Sequence, residues 1–125
     1  MNKVLISIGS NIEPEINLEK SRSMLVLRLE NVRFTKVLET TAYGKHYHGN
    51  FLNQLAVAYT EYSLEKVNEV AKQIEGLLGR LPEHKQQGSV IVDIDLFGWN
   101  GCIVRPEDYN RPYVQRLLPD LEAIL

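Results

Sequence analysis

The chain has 125 residues, 44% hydrophobic and 24% charged, with 14 Lys and Arg against 16 Asp and Glu for a formal net charge of −2. Residues 1–125 therefore suit a single domain able to bury a core unaided, and the charge balance excludes a generally basic nucleic-acid-binding surface. Cys102, the only cysteine, excludes an intramolecular disulfide and a cysteine-cluster zinc site; no stretch nears the roughly 20 apolar residues of a membrane span, so a cytoplasmic protein without membrane partners is expected.

Lys3 to Ile8 is apolar and β-branched, too short for a secretory segment, and breaks at Gly9-Ser10-Asn11, which reads as a buried strand ending in a tight turn. Asn17 then serves as a candidate N-cap for an amphipathic helix carrying Leu18, Leu25 and Leu29, and Val32 to Leu38 reads as a second strand. The polar, glycine-punctuated segment from Thr40 to Asn50 is a candidate functional loop. A third strand, Asn53 to Thr60, places Asn53, Leu55, Val57 and Tyr59 on one face. Ser63 caps a second helix whose stripe is Leu64, Val67, Val70, Ala71, Ile74, Leu77 and Leu78, stopping at Gly79. After a polar loop from Leu81 to Gly88, Val90 to Phe97 reads as a buried strand, Trp99-Asn100-Gly101 as a turn, Cys102 to Val104 as a short edge strand and Val114 to Leu125 as a helix. This β-α-β-β-α-β order predicts an α+β ferredoxin-like sandwich, an antiparallel-containing sheet with helices over one face, plus an added C-terminal helix.

Asp93 and Asp95 stand two residues apart in the apolar run Val90-Ile91-Val92-Asp93-Ile94-Asp95-Leu96. Strand geometry puts both carboxylates on one face, about 6.5–7 Å apart at the backbone, where they repel each other unless a cation intervenes. Hard oxygen ligands at that spacing suit Mg²⁺ completed by water and phosphate; the alternative is a pair at a strand end neutralised by Arg or Lys. Gly9-Ser10-Asn11 could offer backbone N–H groups to an anion, but it lacks the P-loop lysine, and a turn with local hydrogen bonds is the simpler reading. Lys72 and Glu75 form an i,i+3 helical pair, while Arg80, Arg111 and Arg116 are either surface charges or phosphate contacts. His46, His48 and His84 include a His-x-His that could chelate zinc, but a glycine-flanked exposed pair is the plainer account. Tyr43, Phe51 and Tyr113 are core aromatics, or else they sandwich a flat heterocycle whose edge Asn53 or Thr40 reads.

In this order, Ile8-Gly9-Ser10-Asn11, Glu39-Thr40-Thr41 with Gly44, Phe51-Leu52-Asn53, Ile74-Glu75 with Gly79-Arg80, and Val92-Asp93-Ile94-Asp95-Leu96 resemble the 6-hydroxymethyl-7,8-dihydropterin pyrophosphokinase family over nearly the whole chain. The resemblance implies Mg²⁺-dependent transfer of pyrophosphate from ATP to the pterin hydroxymethyl group in folate biosynthesis, with release of AMP. It assigns two Mg²⁺ ions to Asp93 and Asp95, with Arg80 joining them in catalysis. Pterin binding falls to Thr40, Ala42, Tyr43, Phe51, Asn53 and Tyr113, and ATP binding to Lys72, Glu75, Arg80 and Arg111. The implied partners are these small molecules, for a monomer or weak homo-oligomer.

The chain also departs from that pattern. Gly88-Ser89-Val90 stands where the family has Gly-Pro-Arg, Pro82 and Gln87 occupy positions usually Arg and Trp, and Glu107 or Asp108 lies where a histidine is usual. Lys45 and Lys85 are candidate substitutes for the missing cations. A catalytically impaired pterin- or nucleotide-binding relative and a non-catalytic ferredoxin-like interaction domain therefore stay open as alternatives.

Overall fold

Strand β1, Asn2–Ser10, lies at the centre of a six-stranded sheet, antiparallel to β4 (Phe51–Thr60) on one side and to β5 (Asp93–Trp99) on the other. The computed structural model describes residues 1–41, 49–81, 83 and 88–125. The sheet order is β2-β4-β1-β5-β6, where β2 is Glu30–Phe34 and β6 is Cys102–Ile103, and β3 (Leu38–Thr40) also pairs with β4. This is the expected ferredoxin-like arrangement, with helices α1 (Pro14–Arg28) and α2 (Leu64–Leu77) following β1 and β4. A single turn, α3 (Pro106–Tyr109), and a last helix, α4 (Pro112–Glu122), complete the chain.

The period-2 alternation divides the apolar residues between two cores. Val4, Ile6, Ile8, Ala56, Ala58, Ile94 and Leu96 pack with Leu18 and Leu25 of α1 and Val67, Val70, Ala71 and Ile74 of α2. On the other face Leu55, Val57 and Phe97 meet Val114, Leu117 and Leu121, so the added C-terminal helix covers the face that α1 and α2 leave free. Ser63 caps α2 by accepting from Lys66 N–H, and Gly79 takes φ +94° just beyond the helix, as expected. Leu77, in contrast, is 62% exposed; the stripe continues at Leu78, one full turn after Ile74.

Several boundaries differ from the sequence-based expectation, three of them for a visible reason. The first helix starts at Pro14, after Glu13 at φ 39°, and Asn17 lies inside it, donating to the Ile12 carbonyl instead of capping. The expected second strand is two: between the pairs Phe34↔Ala56 and Leu38↔Asn53 it advances four residues while β4 advances three. The extra residue is absorbed around Thr35, whose N–H and hydroxyl both bond Leu55 and whose carbonyl accepts from Gln54. Third, regular pairing of β5 begins at Asp93, because the N–H and C=O of Val90 are both taken by Asn11.

Gly98 sits where β1 and β5 shift register, and a Cβ there would stand 2.7 Å from Leu5 Cδ1 and 2.9 Å from Leu5 Cβ. Leu5 Cβ is fixed to its own backbone and cannot swing away. Gly98→Ala is therefore expected to destabilise the protein by about 1–3 kcal/mol in chemical unfolding, and Leu5→Ala in that background to recover only part of the loss. A neutral Gly98→Ala variant would contradict this packing.

Candidate functional site

Ile94 points into the first core, so Asp93 and Asp95 project to the opposite face, the side of Phe97 and α4. The register sets two rows across the central strands, Asn53–Gly9–Asp93 and Leu55–Ser7–Asp95. Gly9 belongs to β1 and not to a turn, and a Cβ there would press on Asn53 Oδ1 at 3.1 Å, so Asn53 would have to shift to admit it. A shallow gap thus separates Asn53 from Asp93, which stand about two strand spacings, roughly 10 Å, apart.

Each carboxylate has its own counter-charge. Arg80 Nη1, just past α2, lies 2.9 Å from Asp93 Oδ1, 3.0 Å from Glu75 Oε2 and 3.1 Å from the Val92 carbonyl. Glu75 is buried, accepts the Ile94 N–H at 2.7 Å and pairs with Lys72 at 3.2 Å. Arg105 Nη1 is 3.5 Å from Asp95 Oδ1 and 3.9 Å from Asp108, which also holds Arg111 at 3.1 Å. Burial opposes charge on Asp93, but the hydrogen bond from Arg80, one from Asp95 and the charges of Arg80 and Lys72 outweigh it and hold its pKa below the ordinary range. Burial, the adjacent Asp93 and Asp108 push Asp95 up to about 7 despite Arg111. Asp95 therefore exchanges its proton near neutral pH, while Asp93 stays ionised.

These groups line one cleft of about 530 Å³, which includes Lys72, Arg80, Asp93, Asp95, Arg105, Glu107, Asp108 and Arg111. It thus brings together most of the residues expected for metal and ATP, with Glu75 tied to its edge through Arg80 and Lys72. Arg116 is exposed on α4 and does not line the cleft. Across Gly9, Asn53 donates its amide to Thr40 Oγ1 at 2.8 Å and so stands beside β3, with Phe51 half-buried at the start of β4. Tyr113, in the first turn of α4, packs at the edge of the second core and bonds Ser7; burial foremost raises its pKa, keeping the phenol neutral. Ala42, Tyr43, Gly44, Lys45, His46, His48, Pro82, His84, Lys85 and Gln87 lie outside the described residues.

Arg105 escaped sequence reasoning. The Asn100-Gly101 turn, with both residues at positive φ, folds β6 back on β5 in the register Trp99↔Cys102; the chain runs on past Val104, whose N–H donates to the Phe97 carbonyl, to Arg105, whose guanidinium reaches Asp95. Asn11 bonds across the chain instead of locally: its side chain accepts from Val90 N–H at 2.6 Å and donates to the Gly88 carbonyl at 3.0 Å. The Gly9-Ser10-Asn11 run therefore fastens the segment leading into the aspartate strand. Among the described residues no three His, Cys, Asp or Glu side chains converge as a metal site, and the two aspartates alone suit an ion that draws its remaining ligands from phosphate and water. The raised Asp95 pKa fits a place for such an ion, since a divalent cation there relieves the repulsion that holds the proton.

Residues 5–123 match the family model for 7,8-dihydro-6-hydroxymethylpterin-pyrophosphokinase. The chain belongs to this family. The family's activity is pyrophosphate transfer in folate biosynthesis, and its enzymes use ATP and Mg²⁺. No curated protein matches the chain. Among solved structures, the C-terminal domain of the MgtC protein from Mycobacterium tuberculosis is similar with a TM-score of 0.42 and 7% identity, over 77% of this chain and 87% of that one, a likeness that bears no argument. Among the described residues no helix is long and apolar enough to cross a membrane.

The proton on Asp95 has a thermodynamic consequence. Its pKa rises from 3.8 in the unfolded chain to about 7 in the fold, so the folded state binds the proton more tightly and this contribution to stability is lost as pH rises between those values. Asp95→Asn, which cannot ionise, is expected to be more stable than the parent by about 1–3 kcal/mol near pH 8 in metal-free buffer, with the gap closing towards pH 4. Denaturant titrations across that range check it; a gap independent of pH would refute the assignment.

Proposed function

We propose that this chain transfers the pyrophosphoryl group of ATP to 6-hydroxymethyl-7,8-dihydropterin, releasing AMP. The observation that carries this reading is the alignment of Asn53, Gly9 and Asp93 in one row, with the arginine-lined cleft at one end and the Thr40–Asn53 pair at the other. A flat heterocycle at the Asn53 end then lies within reach of a triphosphate at the Asp93 end. The Asn53 amide nitrogen is committed to Thr40, so its Oδ1 remains to accept from pterin N–H groups. Phe51 and Tyr113 are the aromatics that would bracket the ring, and Thr40, through Asn53, fixes its edge.

On the phosphate side, Lys72, Arg80, Arg105 and Arg111 supply cations to the cleft. Asp93 and Asp95 would hold the Mg²⁺ ions, which when bound neutralise phosphate charge and draw the triphosphate into position. The protein's part is alignment: the hydroxymethyl oxygen bonds the β-phosphorus and gives up its proton to solvent, while the bond from that phosphorus to the α,β-bridging oxygen breaks and AMP leaves with that oxygen. Arg80, shared between Asp93 and Glu75, is placed to follow charge as it moves along the phosphate chain. Binding without turnover is the second reading, and one observation favours it: Arg80, Arg105 and Arg111 are all already paired with carboxylates.

AMP release measured with ATP, Mg²⁺ and the hydroxymethyl-dihydropterin tests the proposal. Turnover requiring all three is expected, with Asp93→Ala and Asp95→Ala each lowering kcat by about 100-fold or more. Asn53→Ala is expected to raise KM for the pterin with a smaller effect on KM for ATP. No AMP above background from folded protein would refute catalysis, and calorimetric pterin binding in that case would establish the second reading.

A further inference from the structure

Arg105, Asp108 and Arg111 are spaced three residues apart on either side of a central acid, and the single turn α3 brings them together. Tyr109 N–H donates to the Arg105 carbonyl at 3.0 Å and Arg111 N–H to the Asp108 carbonyl at 3.2 Å, so the backbone sets the spacing. Asp108 divides its carboxylate: Oδ2 faces Arg105 Nη1 at 3.9 Å and Oδ1 faces Arg111 Nη2 at 3.1 Å. Its side chain is only 12% exposed, whereas the arginines are 41% and 44% exposed. The acid lies beneath and the guanidiniums face the cleft.

By charge alone an acid here is a liability, since it opposes an incoming phosphate and, with Asp93, pushes up the pKa of Asp95. By geometry it does the opposite. Two guanidiniums repel each other, and a long side chain free in solvent must be ordered before it can hold a ligand. A buried carboxylate shared between them removes both obstacles. We infer that Asp108 is a positioning residue for the nucleotide: it holds Arg105 and Arg111 as a preset fork over the phosphate end of the cleft. This rests on the nucleotide reading of the cleft, and the test separates the two.

The two accounts of Asp108 differ in sign, which makes the test sharp. Asp108→Asn raises the net charge at the cleft by one, so tighter ATP binding follows if the acid is only a repulsive charge. If it positions the fork, ATP binding by calorimetry weakens by about tenfold, KM for ATP rises more than kcat falls, and the variant has no further effect in an Arg105→Ala/Arg111→Ala background. Ligand-free NMR of the arginine Nε–H groups gives an independent readout: in Asp108→Asn the heteronuclear NOEs of Arg105 and Arg111 fall. Unchanged or tighter ATP binding by a folded variant, or unchanged NOEs, overturns the inference. If the parent protein binds no ATP, the nucleotide reading fails instead and the fork is judged on the NOEs alone. Should Asp108→Asn not fold, Asp108→Glu keeps the charge and displaces it by one methylene; weaker binding then supports the fork, and parental binding overturns it.

Discussion

One guanidinium nitrogen of Arg80 lies within hydrogen-bonding distance of Asp93, of Glu75 and of the Val92 carbonyl, and the working face is organised around that contact. Among the described residues, β5 is paired on its outer side only at Gly98 and Trp99, by β6. At Ile94 a buried carboxylate from α2 takes the place of a neighbouring strand's carbonyl. A buried N–H must find an acceptor, and an ionised acceptor makes a stronger bond than a neutral one. Glu75 in turn needs a cation, and Arg80 serves both it and Asp93. The end of α2, the start of β5 and the first aspartate are thereby fixed against one another by charge in addition to the apolar packing of Ile74 with Val92 and Ile94.

The same economy extends across the cleft. The resemblance places arginines where this chain has Pro82 and Val90, which suggested a shortage of positive charge. Arg105 reduces that shortage from a different part of the chain. Since Arg80, Arg105 and Arg111 each face a carboxylate, the cleft is a wired network of opposite charges and not a positive basin. Such a site gives little long-range attraction to an anion, and its discrimination comes from exchanging well-oriented partners at short range.

Much of this was legible because it follows from strict periodicities. Asp93 and Asp95 share a face because a strand alternates, and α2 has its cap at Ser63 and its stop at Gly79 because those residues suit only such positions. The parts that were not legible depend on contacts that the local pattern does not announce. Asn17 looks like a cap locally, yet Pro14 and the Ile12 carbonyl set the helix start further back. The break at Thr35 exists because Leu55 and Gln54 bond to it from β4, and nothing near Thr35 announces that. Arg105 becomes visible only when the chain is followed past the β5–β6 hairpin to Asp95. Gly9 and Asn11 were noticed for the wrong reason: a glycine followed by polar residues signals a turn, but here one clears space beside Asn53 and the other bonds a segment some eighty residues away.

The cross-chain bonds of Asn11 also bear on how this sequence is free to vary. The polar segment that leads into the aspartate strand is held at its near end by Arg80 and at its far end by Asn11 on Gly88 and Val90. Asp93 therefore takes its position from contacts made on either side of the intervening stretch. Arg80 and Asn11 thus hold the start of the aspartate strand from two sides. Doubling a loop between fixed ends costs only about 0.6 kcal/mol in closure entropy.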